Sequence, residues 1–255
     1  MSDVLYGIHP VTEALKRRER RFDYVAVSKD RSDPRVLRII DDCRAQGVTV
    51  KFVPREDIDK ATQTNTHQGI MAVTSRKVYS DIDDLLQVRR GSHAFILVLD
   101  GVEDPHNLGA LLRSANGVGI DGVVIPERRA AGISGTVVKA SAGASEAVNI
   151  ARVVNIARSL EDLKERNVWT VGLDERATQN YDEVDYNMDC AIVLGAEGKG
   201  LHDLVRRKCD MLVKIPMMGS VSSLNVSVAG GIVIYEVLRQ RRALVAPAKG
   251  KKKGK

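Results

Sequence analysis

Apolar residues in the first 75 positions occur at two different spacings. Three runs rich in β-branched and aromatic residues predict strands, at 22–28, 48–54 and 69–75. Three stretches with apolar residues at helical spacing predict helices, at 9–18, 34–47 and 55–62. Pro10 suits the first turn of the first helix, and Gly47 suits the end of the second. This part of the chain is therefore predicted to be a small α/β unit.

From residue 94 onward, strands made almost wholly of valine, isoleucine and leucine alternate with helical stretches. The strands are predicted at 94–100, 122–126, 149–154, 168–173, 190–195 and 211–216. The helices are predicted at 107–118, near 133–142, and at 156–166, 201–208 and 224–242. Continuous apolar strands separated by helices are typical of a parallel sheet covered on both faces.

Two segments with a higher density of charged residues flank this second unit. Residues 76–93 are predicted to be a linker with a short helix at 81–88. Residues 244–255 are predicted to be a disordered, lysine-rich tail. The domain boundaries predicted from the sequence are thus 1–75, 76–93, 94–243 and 244–255.

Composition excludes several classes of protein. The chain is 44% apolar, but no window approaches 18 consecutive apolar residues, so no transmembrane helix is expected. The first ten residues lack the pattern of a signal peptide. Three scattered cysteines fit a reducing compartment better than a disulfide framework. We therefore expect a cytoplasmic protein.

The formal net charge of +6 comes mostly from the tail, which contributes five lysines. That tail fits a solubilising terminus and a phosphate-contacting arm about equally well. A denser basic cluster, Lys16 to Arg21, follows the first predicted helix, where cations also suit the helix dipole. Charge alone permits an RNA partner without requiring one.

Common cofactor motifs are absent or misplaced. The stretch 117–122, GVGIDG, matches a dinucleotide fingerprint, but a helix precedes it and a strand follows, which is the reverse of the required order. We interpret it as a helix C-cap and turn. No P-loop is present. The histidines and cysteines are dispersed, so no metal site is expected.

Three segments follow predicted strands at the edge where open α/β sheets bind ligands. In the first, Asp104 and Pro105 shape a loop, Asn107 is predicted to cap a helix, and Arg113 lies six residues further. Taken alone, this segment favours a capped helix with a surface arginine. The alternative is an asparagine and an arginine placed beside a ligand, where arginine suits phosphate or ribose contacts.

The second segment, 193–201, places Glu197 among three glycines, Gly195, Gly198 and Gly200. Such a density of glycine allows backbone to approach a ligand closely. An ordinary tight turn with an exposed glutamate is equally compatible with this segment.

The third segment, 215–236, begins with a loop of small polar residues and continues as an apolar helix predicted to start at Leu224. Gly230 and Gly231 within that helix each cost about 1 kcal/mol relative to alanine. A close approach of another backbone, within the fold or across a dimer, is the expected compensation.

Together these segments resemble the SpoU branch of the SPOUT RNA methyltransferases. The matching stretches are DGVEDPHNLGALLRSA, VLGAEGKGL and IPMMGSVSSLNVSVAGGIVIYEVLRQR, with YGIHPVTEAL and THQGIMA in the first unit. Within the family, the chain is most similar to the bacterial 23S rRNA guanosine 2′-O-methyltransferases, and the tRNA enzymes are more distant. The resemblance spans almost the whole chain except the tail.

The resemblance implies a fold, a cofactor and partners. Residues 1–75 would be an L30e-like α/β domain that binds RNA, and residues 94–243 a SPOUT α/β domain with a deep trefoil knot. The cofactor would be S-adenosylmethionine. The partners would be RNA, with 23S rRNA first, and a second copy of the chain in a homodimer. The implied cofactor-binding residues are Leu194, Gly195, Ile215, Met217 and Leu224.

The implied reaction transfers a methyl group to a ribose 2′-hydroxyl. The residues that the resemblance assigns to catalysis are Asn107, Arg113, Glu197, Ser223 and Asn225. A guanidinium is an awkward base because it stays protonated. Stabilisation of the developing alkoxide is physically easier for Arg113. Two alternatives stay open: an enzyme acting on tRNA or another rRNA site, and a non-catalytic RNA-binding protein with the same fold.

Overall fold

A four-stranded sheet forms the first part of the computed structural model, which describes residues 2–29, 33–128 and 130–245. Its strands, in chain order, are β1 Ser2–Tyr6, β2 Phe22–Ser28, β3 Val50–Val53 and β4 Ile70–Ser75. Its helices are α1 Ile8–Arg17, α2 Pro34–Ala45 and α3 Arg55–Thr62. The spatial order is β1-β4-β2-β3, and only the β2–β3 pair is parallel. The tail was predicted to start at residue 244, but residues 244 and 245 are the end of the last helix. The rest of the predicted tail lies outside the described residues.

Strand β1 has no counterpart in the sequence prediction. It pairs along its whole length with β4, with Ser2 opposite Ser75 and Tyr6 opposite Met71. A strand of five residues at a chain terminus has too short an apolar pattern to identify it. Its pairing with a strand 70 residues away decides its conformation.

A seven-stranded sheet forms the second part, and all its pairings are parallel, as predicted. Its strands are β5 Phe95–Asp100, β6 Gly122–Pro126, β7 Ile150–Val153, β8 Trp169–Leu173, β9 Gln179–Asn180, β10 Cys190–Gly195 and β11 Met211–Lys214. The spatial order is β7-β6-β5-β10-β8-β11-β9. The two-residue strand β9 was not predicted.

Helices cover both faces of this sheet, as the apolar strands predicted. They are α4 Ile82–Gln87, α5 Pro105–Val118, α6 Gly135–Ala140, α7 Ala144–Ala147, α8 Ile156–Glu165, α9 Asp203–Lys208 and α10 Val226–Val245. Leu97 and Leu194 point into the core shared with α5 and α10, whereas Ile96 and Val193 point into the core shared with α8 and α9. No helix in the described part of the chain is long and apolar enough to cross a membrane.

The turn after α5 confirms the interpretation of the GVGIDG stretch. Helix α5 ends at Val118, and Gly119 follows in the left-handed conformation with φ 70°. Strand β6 then starts at Gly122. Gly119 therefore ends the helix, and the helix precedes the strand, which is the reverse of the order in a dinucleotide fingerprint.

Gly230 is the point where α10 packs most closely on the rest of the fold. A Cβ atom there would lie 2.5 Å from Cδ2 of Leu111 and 2.6 Å from Cδ1 of Leu194. At Gly231 the nearest atom is Oγ of Ser114, at 3.9 Å. The expected close approach is therefore present at Gly230 alone, and apolar side chains make it where a backbone was expected.

A buried ion pair joins the segment before β2 to helix α7, and so links the first part of the fold to the second. Arg20 donates from Nε and Nη2 to both carboxylate oxygens of Glu146, at 2.8 and 2.9 Å, and from Nη1 to Asp3 at 2.9 Å. The side chains of Arg20 and Glu146 are only 1% and 3% exposed. Arg17 adds hydrogen bonds to the Glu146 carbonyl and to Asn149. Two cations of the basic cluster thus serve contacts within the chain.

Candidate active site

A pocket of about 240 Å³ opens at the carboxyl ends of β8, β10 and β11, against the first turn of α10. Its apolar wall consists of Leu173, Leu194, Ile215, Met217, Leu224, Val226 and Ala229. Its polar rim consists of Asp174, Glu175, Arg176, Glu197, Lys199, Lys214, Ser222 and Ser223. The pocket lies at the edge where the sequence predicted ligand binding.

The five residues predicted to bind the cofactor, Leu194, Gly195, Ile215, Met217 and Leu224, all line this pocket. They come from the end of β10 and from the segment between β11 and α10. Leu224 was predicted to be the first residue of the last helix, which is wrong, because that helix begins at Val226. Leu224 instead lies in the loop, where its side chain faces the pocket.

Gly195 explains why the β10 turn contains so many glycines. A Cβ atom at Gly195 would lie 2.0 Å from the carbonyl carbon of Gly200, so the turn can fold back only over a residue without a side chain. Ala196 and Gly200 close the turn with two backbone hydrogen bonds, at 2.9 and 3.0 Å. Gly198 and Gly200 have φ values of 74° and 67°, which favour glycine. The turn presents Glu197 at the pocket rim.

Three predicted catalytic side chains form one hydrogen-bonded network. Nδ2 of Asn107 donates to Oε2 of Glu197 at 2.8 Å. Nδ2 of Asn225 donates to Oδ1 of Asn107 at 3.0 Å and to Oε1 of Glu197 at 3.2 Å. Residues from three distant segments therefore converge beside the pocket.

Helix capping differs from the prediction in α5. Asp104 is the N-cap, because its carboxylate accepts from the backbone N–H groups of His106 and Asn107 at 3.2 and 3.1 Å. Asn107 was predicted to be the cap, but it lies inside the first turn, where its buried side chain is free to join the network. An acidic residue at the N-cap also suits the helix dipole.

Asn225 performs two tasks at once. Its Oδ1 accepts from the backbone N–H of Ser227 at 2.9 Å, which caps the start of α10, and its Nδ2 supplies the network. Ser223 lines the pocket two residues earlier. The polar loop of the third segment therefore ends at Asn225. The side chain of this residue both caps α10 and takes part in the network.

Arg113 lies outside this network. It is exposed on α5, and within the described residues its guanidinium has no hydrogen-bond or ion-pair partner. The helix that carries Asn107 therefore also carries a free cation, which the fold does not use for its own stability.

The sequence analysis missed one charged feature of the rim. Asp174 and Arg176 directly follow β8 and line the pocket. The Arg176 guanidinium donates to both oxygens of Asp174, and this hydrogen bonding lowers the pKa of the Asp174 carboxyl below its usual range. The stretch DER directly follows an apolar strand, as do the three segments chosen in the sequence analysis. Its position at the end of a strand could therefore have identified it as a candidate.

The site combines an apolar wall, which suits a flat heteroaromatic group, with a rim of amides, carboxylates and cations. No cluster of three metal-ligating side chains occurs in the part of the chain that the structure describes. The arrangement can bind a nucleoside-like molecule and present polar groups to a second, hydroxyl-bearing molecule beside it.

The profile of the SpoU rRNA Methylase family matches residues 94–235. The chain belongs to the SpoU rRNA Methylase family. The profile for RNA 2′-O ribose methyltransferase substrate binding matches residues 4–80 of this SpoU methylase. It is an S-adenosylmethionine-dependent RNA 2′-O-methyltransferase, which confirms the class of enzyme and the cofactor implied by the resemblance.

Known relatives cover nearly the full length of this SpoU methylase. It is 43% identical over 244 residues to the 23S rRNA (guanosine-2′-O-)-methyltransferase RlmB of Escherichia coli K12, which is 94% of this chain and 100% of that protein. The AdoMet-bound rRNA methyltransferase of Sinorhizobium meliloti has a TM-score of 0.77 at 25% identity, over 96% and 88% of the two chains. AviRb of Streptomyces viridochromogenes, in complex with AdoMet, has a TM-score of 0.80 at 22% identity, over 95% and 91%.

Proposed function

We propose that this SpoU methylase transfers a methyl group from S-adenosylmethionine to the ribose 2′-hydroxyl of a guanosine in 23S rRNA. The observation that carries this proposal is the network of Asn107, Glu197 and Asn225 at the mouth of an apolar pocket. The rRNA substrate is supported by the 43% identity to RlmB over 94% of the chain.

The pocket fits the cofactor by its chemistry. Leu194, Ile215 and Leu224 would enclose the adenine, and the Gly195 backbone would approach the ribose closely because no side chain intervenes. Met217 would complete the apolar wall. S-adenosylmethionine supplies a methyl group on a positively charged sulfur, which makes the methyl carbon reactive toward an oxygen nucleophile.

The protein must align the 2′-hydroxyl with the donor and favour loss of its proton. Asn107 and Asn225, each fixed by Glu197, would orient the substrate ribose, and Ser223 would donate to the same group of atoms. Because Asn107, Glu197 and Asn225 are already hydrogen-bonded to one another, these three side chains need little reorganisation when RNA binds.

Arg113 would stabilise the developing alkoxide. Its guanidinium is a permanent cation and cannot act as an ordinary base. It has no partner among the described residues, so it is free to contact the RNA phosphate or ribose. In this proposal the positive charge of Arg113 stabilises the alkoxide, and the hydroxyl proton is transferred to the substrate or to solvent.

We further propose a homodimer with the site near its interface. Val228 and Tyr235 lie two turns apart on α10 and are each about half exposed, and Met218 and Val221 before the helix are exposed more strongly. Such a set of exposed apolar side chains beside a functional site suits an interface between copies.

The remaining parts of the proposal concern architecture and location. The division into domains at 1–75, 76–93 and 94–243 is also proposed, and the family matches at 4–80 and 94–235 support two separate units. The L30e-like character of the first domain, the trefoil knot of the second and the cytoplasmic location are inferences from the family resemblance. An rRNA substrate makes the cytoplasm the natural compartment.

The test is to map 2′-O-methylated riboses in 23S rRNA from cells with and without the gene, and after incubation with the purified protein. One guanosine should lose its methyl group without the protein and regain it with the protein. Arg113→Ala should abolish transfer while the affinity for S-adenosylmethionine stays within about tenfold, or roughly 1.4 kcal/mol. Methylation of tRNA alone would refute the rRNA assignment, and normal transfer by Arg113→Ala would refute the role of Arg113.

A further inference from the structure

A buried carboxylate fixes one arginine at the rim of the cofactor pocket. Nε and Nη2 of Arg176 donate to Oδ1 and Oδ2 of Asp174 at 2.9 and 2.7 Å, and the Arg176 backbone N–H donates to Oδ1 at 2.9 Å. The Asp174 side chain is 2% exposed, whereas that of Arg176 is 53% exposed. The Asp174 carboxylate is therefore buried in the fold, whereas the Arg176 guanidinium faces the pocket opening.

The chain contains the same local arrangement elsewhere, which shows what is particular to this pair. Arg35 donates to Asp33 through its backbone N–H, Nε and Nη2 at 2.9, 3.1 and 2.8 Å. There the aspartate caps α2, and the arginine lies on the surface of the first domain. An Asp-x-Arg turn thus needs no ligand to form. The second copy, Asp174 and Arg176, lines the pocket described above.

Arg176 keeps donors that the fold does not use. A guanidinium has five N–H donors, and Asp174 takes one from Nε and one from Nη2. Both N–H groups of Nη1 and one of Nη2 have no partner in the described part of the chain. These remaining groups lie on the side of the guanidinium where a second carboxylate can bind.

The cofactor has one anionic group, the carboxylate of its methionine part. Its other polar groups are a sulfonium and an ammonium, which a guanidinium repels, and neutral hydroxyls and ring nitrogens. We propose that Arg176, oriented by Asp174, binds the methionine carboxylate of S-adenosylmethionine and so sets the direction in which the cofactor enters the pocket. This inference rests on the proposed placement of the cofactor in this pocket.

Two other cations, Lys199 and Lys214, also line the pocket. Neither has a hydrogen-bond or ion-pair partner among the described residues, so each would lose side-chain freedom on binding an anion. Arg176 has already lost that freedom in its contact with Asp174. A carboxylate therefore binds to Arg176 at a lower entropic cost than to either lysine.

The test compares two ligands, of which only one has the amino-acid end that contains the carboxylate. S-adenosylhomocysteine has the amino-acid end, and 5′-methylthioadenosine lacks it but keeps the adenosine and sulfur. Their affinities are measured by calorimetry, without RNA, for the parent protein, Arg176→Met and Arg176→Lys. The double variant D174N/R176M avoids an unpaired buried carboxylate, and Arg35→Met is the matched control from the other Asp-x-Arg turn.

Arg176→Met and the double variant should bind S-adenosylhomocysteine at least tenfold more weakly, and should bind 5′-methylthioadenosine within about twofold of the parent. Arg176→Lys should recover part of the loss, and Arg35→Met should match the parent. Equal loss for both ligands, or loss for neither, overturns the inference. If the parent itself binds neither ligand, the proposed cofactor pocket is wrong as well.

Discussion

Asn225 donates a hydrogen bond to Asn107 at 3.0 Å, across 118 residues of sequence. The same Nδ2 also reaches Glu197, while Oδ1 of Asn225 caps α10. The two functions of this side chain can be separated, because one uses its amide nitrogen and the other its oxygen.

Asn225→Asp should keep the cap and destroy the network. An aspartate still accepts from Ser227, but it loses both donors and places a carboxylate against Glu197. We expect methyl transfer to fall by about 10²-fold, since misplacement of orienting groups by 1 Å can cost that much. Rates are measured with saturating cofactor, and thermal unfolding checks the fold. Ser227→Ala is the control: it removes a hydroxyl that donates to Oδ1 of Asn225 at 2.6 Å but leaves both Nδ2 hydrogen bonds in place, so it should stay near the parental rate. A fully active Asn225→Asp enzyme would remove Asn225 from the site.

Gly230→Ala and Gly231→Ala should affect stability in opposite directions. A methyl group at Gly230 collides with Leu111 and Leu194, and overpacking of this kind costs about 1–3 kcal/mol, partly offset by up to about 1 kcal/mol of helix propensity. At Gly231 there is space, so the propensity gain remains. Urea unfolding measures both variants. Because Leu194 lines the pocket, Gly230→Ala should also weaken cofactor binding. Equal stabilities would contradict the packing argument.

Arg20→Met should destabilise the protein strongly. It leaves Glu146 buried without its bidentate partner, and breaking a buried ion pair in this way costs about 3–5 kcal/mol. The control is Arg44→Met, which breaks an exposed pair with Asp41 and should change the free energy of unfolding by less than about 1 kcal/mol. Chemical denaturation provides the measurement. Similar values for the two variants would show that the buried Arg20–Glu146 pair adds little to stability.

The three cysteines should react slowly with thiol reagents at pH 8. Burial raises the pKa of Cys43 and Cys190 to about 11, and that of Cys209 to about 12. The thiolate is the reactive form, so about a thousandth or less of each is available at that pH. Labelling should become fast for all three in urea. Rapid labelling of Cys209 in the native protein, where this residue is partly exposed, would be the contrary result.

Acid should lower the free energy of unfolding, partly through the protonation of Asp174. Hydrogen bonding from Arg176 lowers the pKa of this carboxyl in the folded state, whereas in the unfolded chain it titrates at about 3.9. The resulting stability is present above the unfolded pKa and is lost as the pH falls through the lower folded pKa. Asp174→Asn should therefore flatten the acid limb of the unfolding free energy below about pH 4, the unfolded pKa of aspartate. An unchanged slope would indicate that other carboxylates dominate.

The sequence by itself determined the parallel sheet, because short continuous runs of branched apolar residues alternate with helical stretches, which is typical of strands buried on both faces. Three separated motifs in the sequence also identified the family. The predicted order of helix and strand excluded the GVGIDG stretch as a dinucleotide-binding loop. These features are local, and each depends on residues adjacent in the chain. The five residues expected around the cofactor pocket could be chosen in this way because the family motifs specify them one by one.

Only the tertiary structure decided which side chains meet. It assigned the cap of α5 to Asp104 and so released Asn107 for Glu197 and Asn225. It explained Gly230 by Leu111 and Leu194, which come from elements 119 and 36 residues away. It also showed that Arg20, one member of a basic cluster, forms a buried ion pair that links the two parts of the fold. Such pairings depend on contacts between distant segments, and the spacing of apolar and polar residues along the sequence does not predict those contacts.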